Sequence, residues 1–178
     1  EVVPFVEDTE NSDYKYVMDK GELVIGITYF APMNYEENGE LVGFETEFAK
    51  AVCEILGVNA KFQEISWAAK ETELASKNID CIWNGMTITD ERKANMEISK
   101  PYMENKQVLV VRAEDADKYT SAAAMKDVAV VAEQESAGES VAKENADFAD
   151  YKYTAVDKQA TALMEVSAGT ADAAIVDY

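Results

Sequence analysis

Histidine is absent from this chain of 178 residues, and positive charge is scarce: 16 Lys and Arg stand against 35 Asp and Glu. Without histidine, the chain cannot form a Ser-His-Asp triad, a Cys-His dyad or a His-ligated metal site. The net charge of −19 argues against nucleic acid, because phosphate backbones are bound by clustered cations. It argues equally against an anionic membrane surface as a direct partner. We therefore expect no nucleic acid partner, no metal and no cofactor.

Long apolar runs and cysteines are also scarce. No run approaches the ~20 apolar residues that a membrane span needs. Two cysteines, Cys53 and Cys81, form no CxxC motif, and their apolar neighbours favour buried thiols over a disulfide. Hydrophobic residues make up 48% of the chain, so we expect a globular protein with a substantial core.

Strand-like and helix-like segments alternate after an acidic, aperiodic stretch at residues 1–20, which we interpret as a leader or tether ending in a helical turn near 14–18. This alternation predicts an α/β fold with parallel-dominated sheets flanked by helices. Residues 28–43 are expected to form a loop. The predicted strands are 23–27, 60–65, 79–83, 107–111, 127–132, 151–154 and 173–176. The predicted helices are 44–56, 68–77, 138–145, one that starts near 89, and one with Ala160, Leu163, Met164 and Ser167 on one face, closed by Gly169.

Ligands of open α/β sheets bind at the carboxyl ends of the strands, and this rule selects a small set of polar and aromatic residues. Taken singly, each has an ordinary structural explanation; Arg92, for example, could pair with an acid on a solvated helix surface. Within this set, Arg92 offers a cation, Asp177 an anion after the last strand, and Phe30 and Trp67 two apolar rings. With a helix N-terminus beside them, this combination suits a zwitterion with a side chain. The set is Thr28, Tyr29, Phe30, Ser66, Trp67, Asn84 to Thr87, Arg92, Glu133 to Ser136 and Asp177.

Four stretches resemble the family 3 extracellular solute-binding proteins, the polar amino acid receptors of ABC importers. They are 39–44 (GELVGF), 79–92 (IDCIWNGMTITDER), 99–102 (SKPY) and 169–177 (GTADAAIVD). The resemblance implies a two-lobed, type II periplasmic-binding-protein fold, with lobe one in residues 21–104 and lobe two in 105–178. It also implies extracellular binding of a free polar amino acid, without catalysis, and delivery to the membrane subunits of an ABC importer by lobe closure.

The resemblance further implies which residues bind the ligand carboxylate. Arg92 would hold it in a bidentate pair, which the planar guanidinium suits better than lysine does. Thr87 would add its hydroxyl and backbone N–H. Ser136 and the amide of Ala137, at a helix N-terminus, would bind the same group from the second lobe.

The ligand ammonium and side chain would be bound by a second group of residues. The resemblance implies that Asp177 takes the ammonium, helped by the chain near Asn84 and Gly85. Phe30 and Trp67 would enclose the ligand side chain between two rings.

Two features depart from the family pattern. A Gly-Ser/Thr pair usually opens the second-lobe anion loop, whereas this chain has Glu135-Ser136. The family also continues beyond the position of Tyr178, so both lobes are expected to be incomplete here, with completion by chain exchange or by a separate C-terminal fragment. The expected location is extracellular, periplasmic or tethered to the outer face of the cell membrane, after export by a signal and as a lipoprotein.

Two alternatives to the receptor remain open. Cyclohexadienyl and arogenate dehydratases resemble these receptors, and Asp177 or Glu135 could serve as a general acid if burial raised its pKa. The chain could instead be the ligand-sensing domain of a membrane receptor.

Overall fold

The computed structural model describes residues 12–145 and 151–178, and they form two compact units. Unit one contains the described residues up to Ile65 together with Ala69–Gly85, and unit two contains Ser66–Ala68 and Met86–Tyr178. The helices are α1 (Asp13–Lys20), α2 (Phe44–Leu56), α3 (Lys70–Ala75), α4 (Asp90–Asn95), α5 (Ala137–Glu144) and α6 (Gln159–Ala168). The strands are β1 (Glu22–Ile27), β2 (Tyr35–Glu37), β3 (Glu40–Val42), β4 (Asn59–Glu64), β5 (Cys81–Ile82), β6 (Gln107–Val111), β7 (Ala129–Glu133), β8 (Lys152–Val156) and β9 (Ala173–Asp177).

Unit one is built on a parallel sheet of three strands in the order β4-β1-β5. Successive side chains of the central strand β1 enter two separate hydrophobic clusters, because they point to opposite faces of the sheet. Ile25 and Ile27 pack with α2 on one face, and Val24 packs with Ile65 and Ile79 on the other. The strand is therefore buried on both faces, which agrees with its continuous apolar sequence.

Helix α1 packs on the core of unit one. The Ser12 side chain accepts a hydrogen bond from the Lys15 N–H at the start of the helix, and Gly21 ends it with a left-handed φ of 73°. Val17 is buried in the same cluster as Ile25. The helical turn expected near residues 14–18 is thus a helix of eight residues. The first eleven residues of the predicted leader lie outside the described part of the chain.

The segment expected to be a loop, 28–43, contains the hairpin β2–β3 in unit one. Asn38 and Gly39 form its turn with φ values of 54° and 83°. Two successive positive φ angles characterise the type I′ turn, for which Asn-Gly is the preferred sequence. The prediction of a loop throughout this segment was therefore wrong. Each of the two strands has only three residues, which are too few for the sequence to show an alternating pattern.

Unit two contains a sheet of four strands in the order β6-β9-β7-β8, in which β6 runs antiparallel to β9 and the other pairs are parallel. Ala173 and Ile175 of β9 pack on the α5 side, while Ala174 and Val176 pack on the α6 side. Parallel pairing thus dominates the sheets of both units. The predicted α/β fold class is confirmed.

Two details of unit two differ from the sequence-based expectations. The side chains of α6 that face the core are those of Gln159, Ala162 and Val166, and the predicted face with Leu163 and Met164 is exposed. Asp177 is the last residue of β9 instead of the first residue after it. Segment 86–104, placed in lobe one by the sequence, belongs to unit two, and the division into lobes stays a prediction. Among the described residues, no helix is long and apolar enough to cross a membrane.

Candidate functional site

Arg92 lies in the first turn of α4, in unit two. The Thr89 side chain caps this helix by accepting a hydrogen bond from the Arg92 N–H (3.2 Å). The guanidinium donates to the carbonyl oxygens of Thr87 (2.7 Å) and Glu135 (3.1 Å), and its carbon lies 5.8 Å from the centroid of the Trp67 ring. Arg92 and Trp67 are both buried, at 8% and 6% exposed. Unit two therefore brings together the predicted carboxylate-binding arginine and one predicted ring.

Arg112, the other arginine of the chain, has a structural role in the same unit. Its guanidinium pairs with Asp115 (2.8 Å) and Asp172 (3.5 Å) and donates to the carbonyl oxygens of Val166 and Ala171. Desolvation lowers the pKa of Arg112, but the hydrogen bond to Asp115 and the charges of Asp115 and Asp172 outweigh it and raise the pKa above its usual value. Arg112 thus holds the end of α6 beside the start of β9.

The predicted anion loop connects β7 to α5. The Ser136 hydroxyl caps α5 by accepting a hydrogen bond from the Glu139 N–H (3.1 Å), and Ser136 is 6% exposed. This bond uses an oxygen lone pair of the hydroxyl, so its hydrogen stays available to a carboxylate. Glu135, directly before the cap, has a left-handed φ of 58°, a conformation that glycine adopts easily. Glu135-Ser136 thus has the backbone shape expected of a Gly-Ser pair.

The N-terminus of α5 lies close to strand β9. A Cβ atom at Gly138 would lie 2.7 Å from the carbonyl oxygen of Ile175, so a side chain at this position would push the helix away from the strand. Ala137 is the first residue of the helix, where backbone N–H groups have no partner within the helix and attract anions. The absence of a side chain at Gly138 therefore brings this positive helix end to the sheet.

Glu139 braces the anion loop from inside α5. Its carboxylate accepts hydrogen bonds from the Glu135 N–H (2.8 Å) and the Tyr153 hydroxyl (2.8 Å) and pairs with Lys143 (2.9 Å). Burial alone would raise the pKa of Glu139, but these three donors outweigh it and hold the pKa below its usual range. The carboxylate also raises the pKa of Tyr153, which burial favours as well.

Asp177 ends β9 within a group of side-chain amides. Asn105 and Gln107 each donate to one carboxylate oxygen at 2.5 Å, and Gln159 donates to the other. Gln159 also accepts a hydrogen bond from the Asp177 N–H (2.8 Å). Asn105 makes a second contact, with the Thr87 hydroxyl (3.3 Å). A short series of hydrogen bonds, through Thr87 and Asn105, therefore links Arg92 to Asp177 within unit two.

Asn84 and Thr28 form hydrogen bonds with each other in unit one. The Thr28 hydroxyl donates to the Asn84 side-chain oxygen (2.6 Å), and the Asn84 amide donates to the Thr28 carbonyl (2.9 Å). Both residues are buried. They join the carboxyl ends of β1 and β5, and a role for Asn84 in binding a ligand stays a prediction.

Glu45, whose burial the sequence analysis did not predict, is completely buried beside Gly85. Its carboxylate accepts hydrogen bonds from the Gly85 N–H (2.7 Å) and the Asn34 amide (3.0 Å), and Asn34 accepts one from Thr46 (2.9 Å). An acid in the first turn of α2 was the available signal, because acids favour helix N-termini. The Gly85 N–H is therefore engaged by protein.

Phe30 lies in the loop after β1, also in unit one. Its backbone forms an isolated bridge with Asn34, through N–H to carbonyl distances of 2.7 and 3.0 Å, around the cis peptide bond between Ala31 and Pro32. The ring is half-buried. Enclosure of a ligand side chain by Phe30 and Trp67 stays a prediction.

The predicted site residues thus fall into two groups, one in each unit. The predicted site residues of unit one have polar groups that already form hydrogen bonds within the protein. Those of unit two include the charged residues and the helix N-terminus. The described residues contain no cluster of three or more acidic or cysteine side chains that could hold a metal ion. The first group is Phe30, Asn84 and Gly85; the second is Trp67, Thr87, Arg92, Ser136, Ala137 and Asp177.

Comparison with known proteins identifies one family. The sequence profile of the bacterial extracellular solute-binding proteins, family 3, matches residues 23–175. The L-cystine-binding protein TcyJ of Escherichia coli strain K12 is 38% identical over 88 residues, which are 48% of this chain and 33% of that protein. The match therefore spans about a third of this relative's length.

Solved structures are similar over most of the chain. The ancestral amino acid-binding protein AncCDT-1, described as a precursor of cyclohexadienyl dehydratase, is 33% identical with a TM-score of 0.88, over 93% of this chain and 74% of that one. The arginine-bound form of truncated ArgBP from T. maritima is 31% identical with a TM-score of 0.83, over 92% of this chain and 77% of that one. The resemblance seen in the sequence is confirmed.

Proposed function

Because the chain belongs to the bacterial extracellular solute-binding proteins of family 3, we propose that it binds a free amino acid outside the cell and delivers it to the membrane subunits of an ABC importer. The relatives support an amino acid as ligand, since their names specify cystine and arginine. Closure of two lobes on the ligand would signal occupancy to the importer.

The observation that carries this proposal is the pair of opposite charges in unit two. Arg92 donates hydrogen bonds to two backbone carbonyl oxygens, and Asp177 accepts hydrogen bonds from side-chain amides. A zwitterion that leaves water needs a counter-charge for each of its ends. We assign the ligand carboxylate to Arg92, with Thr87, Ser136 and the amide of Ala137, and the ammonium to Asp177.

The remaining predicted residues would complete the site. Trp67 would contact the ligand side chain from beside Arg92, with Phe30 as the second ring, while Asn84 and Gly85 would support the ammonium from the chain after β5. We propose, from the same family resemblance, that the ligand is a polar amino acid. Chain exchange between copies also stays a prediction, as does retention of the protein outside the cell by a lipid-modified leader after export by a signal.

Titration calorimetry with the twenty proteinogenic L-amino acids and L-cystine tests the proposal, together with mass spectrometry of any ligand that co-purifies. We expect at least one amino acid to bind, and its methyl ester and its deaminated analogue to bind much more weakly. Absence of binding by every amino acid would contradict the proposal.

A dehydratase is the second candidate, because one structural neighbour is described as a precursor of that enzyme. The support for it is weaker in unit two, where three amides hold the carboxylate of Asp177 and the side chain of Glu135 is exposed. Incubation with prephenate and with arogenate should give no product. Turnover that is lost in Asp177→Asn would favour the enzyme.

A further inference from the structure

Gln159 contacts Asp177 at two places. Its amide nitrogen donates to one carboxylate oxygen, and its amide oxygen accepts the backbone N–H of the same residue (2.8 Å). Gln159 is 8% exposed, so this amide is buried against the end of β9. A single side chain thereby fixes both the backbone and the carboxylate of Asp177.

The position of Gln159 in its helix does not explain these contacts. It is the first residue of α6, and the capping position belongs to Lys158, which makes no side-chain capping bond. Glutamine at a first helical position is ordinarily solvated, with its amide pointing away from the core. Here α6 instead places the amide against the end of β9, where it contacts Asp177.

All donors around the Asp177 carboxylate are neutral in the described part of the chain. Asn105, Gln107 and Gln159 supply amide N–H groups, and none of the ion pairs formed by residues 12–145 and 151–178 includes Asp177. Amides satisfy the oxygen lone pairs without cancelling the charge. The carboxylate is therefore oriented and still able to attract a cation.

Gln159 differs from the other two amides in its burial and in its second bond. Asn105 is exposed and Gln107 half-buried, and the backbone N–H of Asp177 bonds to Gln159. Loss of Gln159 would free both the strand end and one carboxylate oxygen. Asn105 and Gln107, which share the other oxygen, would not restore that orientation.

We propose that Gln159 is a positioning residue of the amino acid site, which orients the Asp177 carboxylate toward the ligand ammonium before the ligand arrives. This inference rests on the proposed function, in which Asp177 binds the ammonium. Preorganised groups bind more tightly because their ordering does not oppose association. Gln159 would act through Asp177 without touching the ligand.

A double-mutant cycle tests this role, with the tightest-binding amino acid of the calorimetric panel as the probe. Gln159→Leu should weaken binding about 10-fold in the unmodified protein, since it removes two hydrogen bonds to one residue. In the Asp177→Asn background the same substitution should change the affinity less than about 3-fold, because the charge it orients is gone. Gln63→Leu, the same change on β4 in unit one, should leave the affinity unchanged.

The outcomes separate this inference from the proposed function. If no amino acid binds the unmodified protein, the proposed function fails. If one binds and Asp177→Asn leaves its affinity unchanged, the assignment of the ammonium to Asp177 is wrong, and the positioning role falls with it. If Asp177→Asn weakens binding but Gln159→Leu has no effect, or the same effect in both backgrounds, the positioning role is wrong. Should Gln159→Leu fail to unfold cooperatively, Gln159→Glu replaces it in the cycle. That variant keeps the acceptor for the Asp177 N–H and places a like charge beside the carboxylate. Its affinity for the amino acid should therefore fall when Asp177 is present and not in the Asp177→Asn background. Equal losses of affinity in the two backgrounds would overturn the inference.

Discussion

The carboxyl ends of the two sheets differ in what they leave available to a ligand. In unit one, Thr28 and Asn84 satisfy each other, and Glu45 binds the Gly85 N–H, so buried polar groups there are engaged by protein. In unit two, Arg92 and Asp177 carry opposite charges, and their hydrogen bonds to a carbonyl oxygen and to an amide do not cancel those charges. The same sheet position therefore serves mainly for structure in one unit and offers charge to a ligand in the other.

Electrostatics explains why this difference matters. Neutral amides and hydroxyls that are already paired gain little from a ligand, because one hydrogen bond must break for each new one. A buried charge held by neutral donors gains more, since an oppositely charged ligand group is stabilised in a site with little water. Substitutions of the two charged residues of unit two should therefore change affinity most, and substitutions of the paired, buried polar groups of unit one should mainly change stability.

The largest expected effect is the loss of binding in Arg92→Met. The substitution keeps an apolar stem beside Trp67 but leaves the ligand carboxylate buried without its counter-charge. The affinity should fall by about 2–5 kcal/mol, or about 30- to several-thousand-fold, measured by titration calorimetry. Lys93→Met is the matched control, because Lys93 is exposed and pairs with Asp90 at 3.3 Å. Equal losses of affinity in Arg92→Met and Lys93→Met would show that the effect comes from net charge, and would contradict the specific role of Arg92.

The next effect is on stability, in Glu45→Gln. The new amide must place its N–H₂ group against either the Gly85 N–H or the Asn34 amide, both of which are donors. We expect the free energy of unfolding to fall by about 1–3 kcal/mol in urea denaturation. Glu47→Gln, on the exposed side of the same helix, should change it little. An unchanged free energy of unfolding together with a loss of ligand affinity would show that Glu45 serves binding instead of structure.

A smaller effect concerns pH and Glu139. Its pKa is lowered in the folded protein, so its ionised form adds stability that is complete above the unfolded pKa, about 4.3, and is lost as the pH falls through the lower folded value. The unmodified protein should thus lose more stability between pH 5 and the acid range than Glu139→Gln does. Thermal melting over that range measures the difference. Glu144→Gln, at the exposed end of the same helix, should follow the unmodified protein; parallel curves for all three would contradict the bracing role.

Much of the fold was predictable because its strands and helices have strong local signals. The sequence of β1 is apolar from Leu23 to its end, and Gly57 and Gly169 end α2 and α6 with φ values of 73° and 77°. The hairpin β2–β3 was missed although Asn38-Gly39 is a strong turn signal, because strands of three residues show little alternation. The face of α6 with Leu163 and Met164 is exposed, and the buried Gln159 has the sequence character of a surface residue.

The candidate site was predictable in part. The rule that ligands bind at strand carboxyl ends selected Trp67, Thr87, Arg92 and Asp177, which all lie in unit two. The amides around Asp177 could not be predicted, because Asn105, Gln107 and Gln159 come together only through the antiparallel pairing of β6 with β9 and the docking of α6. These contacts join residues that are far apart in the sequence, so local sequence patterns do not reveal them.

The most direct measurement of the central claim pairs each charged residue with the ligand group assigned to it. Calorimetry would compare the tightest-binding amino acid with its deaminated analogue and its methyl ester, in the unmodified protein, Asp177→Asn and Arg92→Met. We predict that Asp177→Asn weakens the amino acid and the ester about 30-fold or more but hardly affects the deaminated analogue. Arg92→Met should weaken the amino acid and the deaminated analogue but spare the ester. If each variant weakened all three ligands by the same factor, the assignment of the two charges to the two ends of the ligand would be contradicted.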